Sequence, residues 1–215
     1  MAELIPIDSP GWSLEYGEPG HPLVVVVHDW YGRLPWLADY AEALSTFGFR
    51  VVVPDLYNGV ATTDAASAQE LRDGLDVAIC LATIDDAILE ARAQGSERVG
   101  VVGFSVGGWL ALLHAQGGAA DAVVAYYGSL ASSEHGVTPC PVLLHLAEVD
   151  DWSPGGDPET LILHLKDHGT PVTEYTYGGT EHSFANEAID KAWDPPAAAL
   201  AFERTVMFLD EHLND

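Results

Sequence analysis

Residues 23–27 read Leu-Val-Val-Val-Val, five apolar residues in a row, four of them β-branched. A strand that alternates apolar and polar side chains can leave one face in water, whereas a continuous apolar run needs cover on both faces. The same demand recurs at 50–54 (Arg-Val-Val-Val-Pro), 98–103, 122–127 and 141–146. Between these runs lie segments with apolar residues at helical spacing: 36–47 ended by Gly48, an alanine-rich acidic stretch over 63–93 with Gly74 as a break, 158–168 ended by Gly169, and 195–213. Strands alternating with helices build a parallel sheet covered by helices. Residues 12–16 alternate as a half-exposed strand would, and the turn at 17–21 lets that strand pair antiparallel at an edge; 171–177 is the last strand. The fold class expected is α/β, with a mostly parallel sheet of about seven strands flanked by helices. One domain over 1–215 is expected, without a large lid, because the longest candidate insertion, 128–139, is too short to form one.

Charge narrows the partners. The chain has 33 acidic against 8 basic residues, a formal net charge of −25, with Lys166 and Lys191 as the lysines. Such a surface repels phosphate backbones and anionic lipids, which argues against nucleic-acid or membrane partners. No apolar run approaches the roughly 20 residues that span a bilayer. The N-terminal stretch MAELIPIDSPGW has no basic segment followed by an apolar one, so no signal peptide is expected and the location expected is cytoplasmic. Cys80 and Cys140 show no Cys-x-x-Cys pattern and no metal-ligand spacing with histidine, and are expected as two buried, reduced thiols with no metal site.

The chemistry is concentrated in Gly103-Phe104-Ser105-Val106-Gly107-Gly108, where a strand-type run enters and a helical stretch, 106–116, leaves. A serine between glycines two positions away on either side fits a tight strand-to-helix turn that lifts the hydroxyl clear of the sheet. The helix that follows points its first amides, and the positive end of its dipole, at the same place. A phosphate cradle would need Gly-Lys-Ser/Thr, and a dinucleotide fingerprint G-x-G-x-x-G; neither is present. A structural turn is the remaining alternative.

A serine nucleophile needs a base and an acid that orients the base, in hydrolases of this architecture in the chain order serine, acid, histidine. The strand at 141–146 runs into Ala147-Glu-Val-Asp-Asp-Trp-Ser-Pro154, offering Asp150 or Asp151, with Glu148 a weaker option. The strand at 171–177 runs into Gly178-Gly-Thr-Glu-His-Ser-Phe184, where His182 stands in a glycine-rich loop. Of the nine histidines, His145 falls inside a strand and reads as a hydrogen-bonded core residue. The loop after 23–27 offers a second oxyanion amide at Trp30, to pair with that of Val106. Trp30, Tyr31, Trp36, Trp152 and Phe184 lie in loops or helix starts at the sheet edge where open α/β sheets bind ligands, and either wall an apolar cleft or pack into the core.

Four segments, VVVVHDWYGRLPWLADYAEALSTFGFRVVVPDLYNG (24–59), VGVVGFSVGG (99–108), Asp150-x-x-x-Pro154 and GGTEHSFAN (178–186), together resemble the dienelactone hydrolase family over nearly the full length. The resemblance implies the α/β-hydrolase fold, ester or lactone hydrolysis without a cofactor, Ser105 as nucleophile, His182 as base, and Asp150 as acid, since the family's proline falls four residues after its acid. It implies Trp30 as an oxyanion donor, and Asp29 as the acidic residue that touches the resting nucleophile, one residue type shorter than the family's glutamate. Serine replaces the cysteine used by well-known members, and Asn186 stands where one of two substrate-binding arginines would be, with Arg72 near the other. A neutral ester or lactone is therefore expected over a dicarboxylate-type lactone, with a small-molecule substrate as the partner and a monomer or homodimer as the assembly. A non-hydrolytic ligand-binding protein of the same fold is the alternative.

Overall fold

A computed structural model describes residues 3–151 and 156–214. Among these, seven strands form one sheet in the spatial order β2 (Leu14–Tyr16), β4 (Arg50–Val53), β3 (Leu23–Val27), β6 (Val99–Phe104), β7 (Ala122–Tyr126), β8 (Val142–Val149) and β9 (Val172–Glu181). Only β2 runs antiparallel, and it pairs with β4 at the edge rather than with β3, its neighbour in sequence. The alternation of side chains along each strand explains the continuous apolar runs. Val24, Val26, Val51, Val53, Val102 and Val124 face one core layer, which packs on α1 (Trp36–Ser45) and α6 (Pro195–Leu213). Leu23, Val25, Val27, Val52, Val101 and Val123 face the other, under α3 (Val77–Ala93), α4 (Val106–Ala115) and α5 (Pro158–Asp167). A polar residue at any of these positions would be buried on one side or the other, at a cost of about 1–3 kcal/mol without a partner.

The acidic stretch at 63–93 forms two helices, α2 (Ala65–Asp73) and α3, with Gly74 closing the first. Part of the acidic excess sits at helix starts. Asp64, Asp76, Asp157 and Asp194 cap α2, α3, α5 and α6 by accepting their first free amides, which also sets negative charge against the positive end of each helix dipole. Both cysteines are buried and unpaired, and burial pushes the Cys140 thiol up to about 11.

Two features differ from the expected pattern. A small antiparallel sheet joins β1 (Ile5–Pro6) to β5 (Val60–Ala61), and Arg33, buried, donates to the carbonyls of Asp8, Ser9, Trp12 and Val53 to fasten that N-terminal strap. The last two strands are longer than expected. The glycine-rich stretch at 178–181 is the end of β9 rather than a loop, paired with β8 across a register shift between Ala147 and Val149. Gly179 takes φ +77°, and the Glu148 carboxylate accepts its amide at 2.6 Å, which satisfies the backbone group the irregularity frees.

Candidate active site

The C-terminal ends of β6, β8 and β9 carry the candidate site. Ser105 sits between β6 and α4 at φ 54°, ψ −114°, a conformation side-chain-bearing residues rarely adopt. The flanking glycines allow it. A Cβ on Gly103 would collide with the Gly107 backbone, and one on Gly107 with the carbonyls of Val27 and His28. The turn is anchored by the Ser105 amide, which donates to the Tyr126 carbonyl at 2.9 Å, and by the first helical bond, from Trp109 to the Ser105 carbonyl at 3.0 Å.

Asp150 and His182 meet for a reason visible in strand register. Val149 of β8 is opposite Glu181 of β9, so the next residue on each strand leaves the sheet at the same place. His182 Nδ1 lies 2.9 Å from both Asp150 carboxylate oxygens, and its Nε2 lies 2.7 Å from Ser105 Oγ. With Nδ1–H donating to the Asp150 carboxylate, Nε2 is left to accept from the Ser105 hydroxyl. Ser183, immediately after the histidine, also has positive φ, at 72°. Asp151 is exposed and Glu148 is committed to Gly179, so of the three acids weighed, Asp150 alone meets the imidazole.

The loop after β3 is braced from within. His28 Nε2 accepts the Leu56 amide at 3.2 Å, which leaves Nδ1–H to donate to the Asp29 carbonyl at 2.7 Å, and burial holds the ring's pKa down to about 4. The Asp29 carboxylate is fully buried. It accepts the Tyr31 amide at 2.9 Å and the Asn186 side-chain amide at 2.7 Å, while the Gly32 amide closes onto the Asp29 carbonyl. Burial, the largest influence, raises the Asp29 pKa to about 6. Among the described residues no hydrogen bond joins Asp29 to Ser105: the Asp29 oxygens accept from Tyr31 and Asn186, and the Ser105 hydroxyl is bonded to His182.

The aromatic residues separate into two groups. Trp30 and Tyr31 are buried in the braced loop beside each other. Trp36 packs against Phe104 and also lines a cavity of about 280 Å³ with Tyr40, Tyr126 and Phe202, whereas Phe184 is wholly enclosed between Tyr127 and Tyr177 and serves the core. Asn186 is likewise enclosed and holds Asp29. Trp152 and Pro154 lie outside the described residues. A cavity of about 370 Å³ does open against the Val106 side chain, lined by Trp109, Ala131 and Glu134 on one side and by Arg72, Asp73, Leu75 and Val77 from the α2–α3 junction on the other. Apart from Arg72 and Val106, these residues carried no motif. The signal available was helical spacing, since Trp109 is three residues after Val106 and so shares its face of α4.

A model of the dienelactone hydrolase family matches residues 14–213. The chain belongs to that family. Its relatives include a carboxymethylenebutenolidase of Pseudomonas putida, 29% identical over 87% of this chain and 85% of that protein, and the protein usf of Aquifex pyrophilus, 29% identical over 96% and 92%. Among solved structures, a dienelactone hydrolase-like promiscuous phosphotriesterase from metagenomic libraries superposes with a TM-score of 0.79 at 21% identity, covering 91% of this chain and 88% of that one. This family member shares with that structure the α/β-hydrolase architecture. Among its described residues no helix is long and apolar enough to cross a membrane, and no cluster of histidine, cysteine or acidic side chains is arranged to hold a metal ion.

Proposed function

We propose that this member of the dienelactone hydrolase family is a serine-dependent hydrolase of small, uncharged carboxylic esters or lactones. The class of reaction, ester or lactone hydrolysis, follows from the family; the residues assigned to it are our reading. The observation that carries it is the line of two hydrogen bonds from Ser105 Oγ through His182 to Asp150. Ser105 Oγ attacks the carbonyl carbon as His182 Nε2 takes its proton. Asp150 holds the imidazolium that results. The negative charge that develops on the carbonyl oxygen is met by the Val106 amide at the start of α4, where the helix leaves its first N–H groups unbonded, and by that of Trp30. His182 then protonates the leaving alkoxide, and on the return half-reaction removes a proton from water, which attacks the acyl-enzyme and releases the acid. Each step moves one proton through one nitrogen, so no cofactor is required.

The charge of the site supports an uncharged substrate. Asp29, with a pKa of about 6, is ionised at neutral pH behind the site. Arg72 lines the cavity but lies 3.2 Å from Asp73, and Glu134 adds a second carboxylate.

The test is hydrolysis of p-nitrophenyl acetate by wild type and Ser105→Ala, with labelling of Ser105 by a fluorophosphonate. The variant should lose on the order of ten-thousand-fold in kcat while keeping its Tm, and wild type should take one label. Retained turnover in Ser105→Ala would refute the assignment.

A further inference from the structure

The cavity beside Val106 has a wall that the mechanism above does not use. Trp109 projects into it from the first turn of α4, on the same face as Val106. Its indole N–H donates to Glu134 at 3.1 Å. The same carboxylate oxygen accepts the Ala131 amide at 2.9 Å, and the Glu134 carbonyl accepts the Gln116 side chain at 3.0 Å. One glutamate thus ties the connection at 128–139 to α4 and fixes the plane of the indole at the cavity wall. The surfaces presented are largely apolar, from Leu75, Val77, Val106, Trp109 and Ala131, and the charged groups are Arg72, Asp73 and Glu134. Among the described residues of the lining one cation stands against two carboxylates, which gives no net attraction to an anion. Its volume, about 370 Å³, lies at the small end for a ligand pocket.

We infer that this cavity receives an uncharged apolar group of the substrate, packed on the Trp109 indole, and that Glu134 is the positioning residue that holds the indole for it. The inference rests on the hydrolase reading above and adds the chemistry of the bound group. A short alkyl chain or a single ring, carried on either side of the scissile bond, is the chemistry that fits.

Two ester series locate and test the group: p-nitrophenyl esters from acetate to hexanoate, and alkyl acetates from ethyl to hexyl. In wild type kcat/KM should climb by up to about 4-fold for each methylene the cavity buries, along one series or the other. Trp109→Ala should reduce the advantage of the four-carbon over the two-carbon group by about 5-fold or more, whereas Trp109→Phe, which keeps a ring, should preserve part of it. Glu134→Ala should shift the profile in the same direction, and Glu134→Gln, whose amide oxygen still accepts, should restore it. A p-nitrophenyl hemisuccinate should be hydrolysed about 10-fold less well than the neutral butyrate. A flat response in both series overturns the inference, as does one common factor for all esters in the Trp109 variants. A preference for the hemisuccinate that disappears in Arg72→Ala overturns it as well. An unchanged profile in Glu134→Ala overturns the positioning role. The control is Ser105→Ala: if it silences the enzyme while the profiles stay flat, the inference alone fails; if it leaves turnover intact, the hydrolase reading fails.

Discussion

β8 carries two arrangements that look alike on paper and differ in every property that matters for chemistry. At its end, Asp150 faces His182, whose other nitrogen meets the Ser105 hydroxyl at 2.7 Å. Five residues earlier, His145 also sits between two oxygens, the Tyr177 phenol at 2.8 Å and the Thr205 hydroxyl at 2.9 Å, with Tyr126 bonded onward to Thr205 at 2.7 Å. The His182 side chain keeps 13% of its surface exposed; His145 keeps none. Among the described residues no carboxylate is hydrogen-bonded to the His145 ring, and burial depresses its pKa to about 3, so it remains neutral throughout the physiological range. A histidine bonded to a hydroxyl is therefore not in itself a base. The acid on the far nitrogen and a path to solvent make the difference, since a neutral buried ring cannot take up the serine proton without facing the full cost of a buried charge.

Exchanging the two histidines for alanine in turn sets the contrast at its widest. His182→Ala should lower kcat roughly ten-thousand-fold and move Tm by no more than a few degrees. His145→Ala should do the reverse. It empties a buried site and takes one hydrogen-bond partner from each of the Tyr177 and Thr205 hydroxyls, for a loss of about 3–4 kcal/mol in urea unfolding, with kcat of the folded fraction within about 3-fold of wild type. Comparable losses of activity from the two variants would dissolve the distinction. A finer cut is Asp150→Asn, which preserves shape but removes the charge and replaces one acceptor oxygen by an NH2 that can donate to Nδ1 and favour the wrong His182 tautomer. It should cost on the order of a thousand-fold in kcat, leaving behind at position 182 a histidine with the same failing as His145.

Much of this was legible in the chain because strand and turn chemistry are local. The runs at 23–27 and 50–53 required cover on both faces, and the glycines around Ser105 required a close approach of backbones, whatever the rest of the sequence did. The order of Ser105, Asp150 and His182 followed from which strands come last. What sequence did not disclose depends on pairing at a distance. Glycines at 178 and 179 read as a loop, because only the partner strand, with Glu148 at hand to bond the Gly179 amide, makes them the end of β9. Phe184 read equally as wall or core, and the packing of Tyr127 and Tyr177 around it decides for core. The cavity wall at Trp109 was hidden for the same reason: its partner Glu134 is 25 residues away, in a connection without periodicity.

The comparison extends to pH, where a buried carboxylate and a buried imidazole leave opposite marks. His145 is held at about 3 against an ordinary 6.5, so the folded protein binds fewer protons than the unfolded chain in that window, and its contribution is complete above 6.5 and lost as pH falls. Asp29 is held at about 6 against 3.8, so here the folded protein binds more protons, and stability falls as pH rises through that interval and then levels off. The difference in unfolding free energy between wild type and Asp29→Asn should therefore shift against wild type by about 3 kcal/mol from pH 3 to pH 7, about 2 kcal/mol of it between pH 4 and pH 6, and stay constant above pH 7. Urea titrations of both proteins at half-unit pH steps would measure it. A difference independent of pH would mean that Asp29 is ionised at pH 4 despite its burial, with the amides of Tyr31 and Asn186 outweighing the loss of water. The carboxylate behind the site would then be charged from pH 4 upward rather than switched between pH 4 and pH 6.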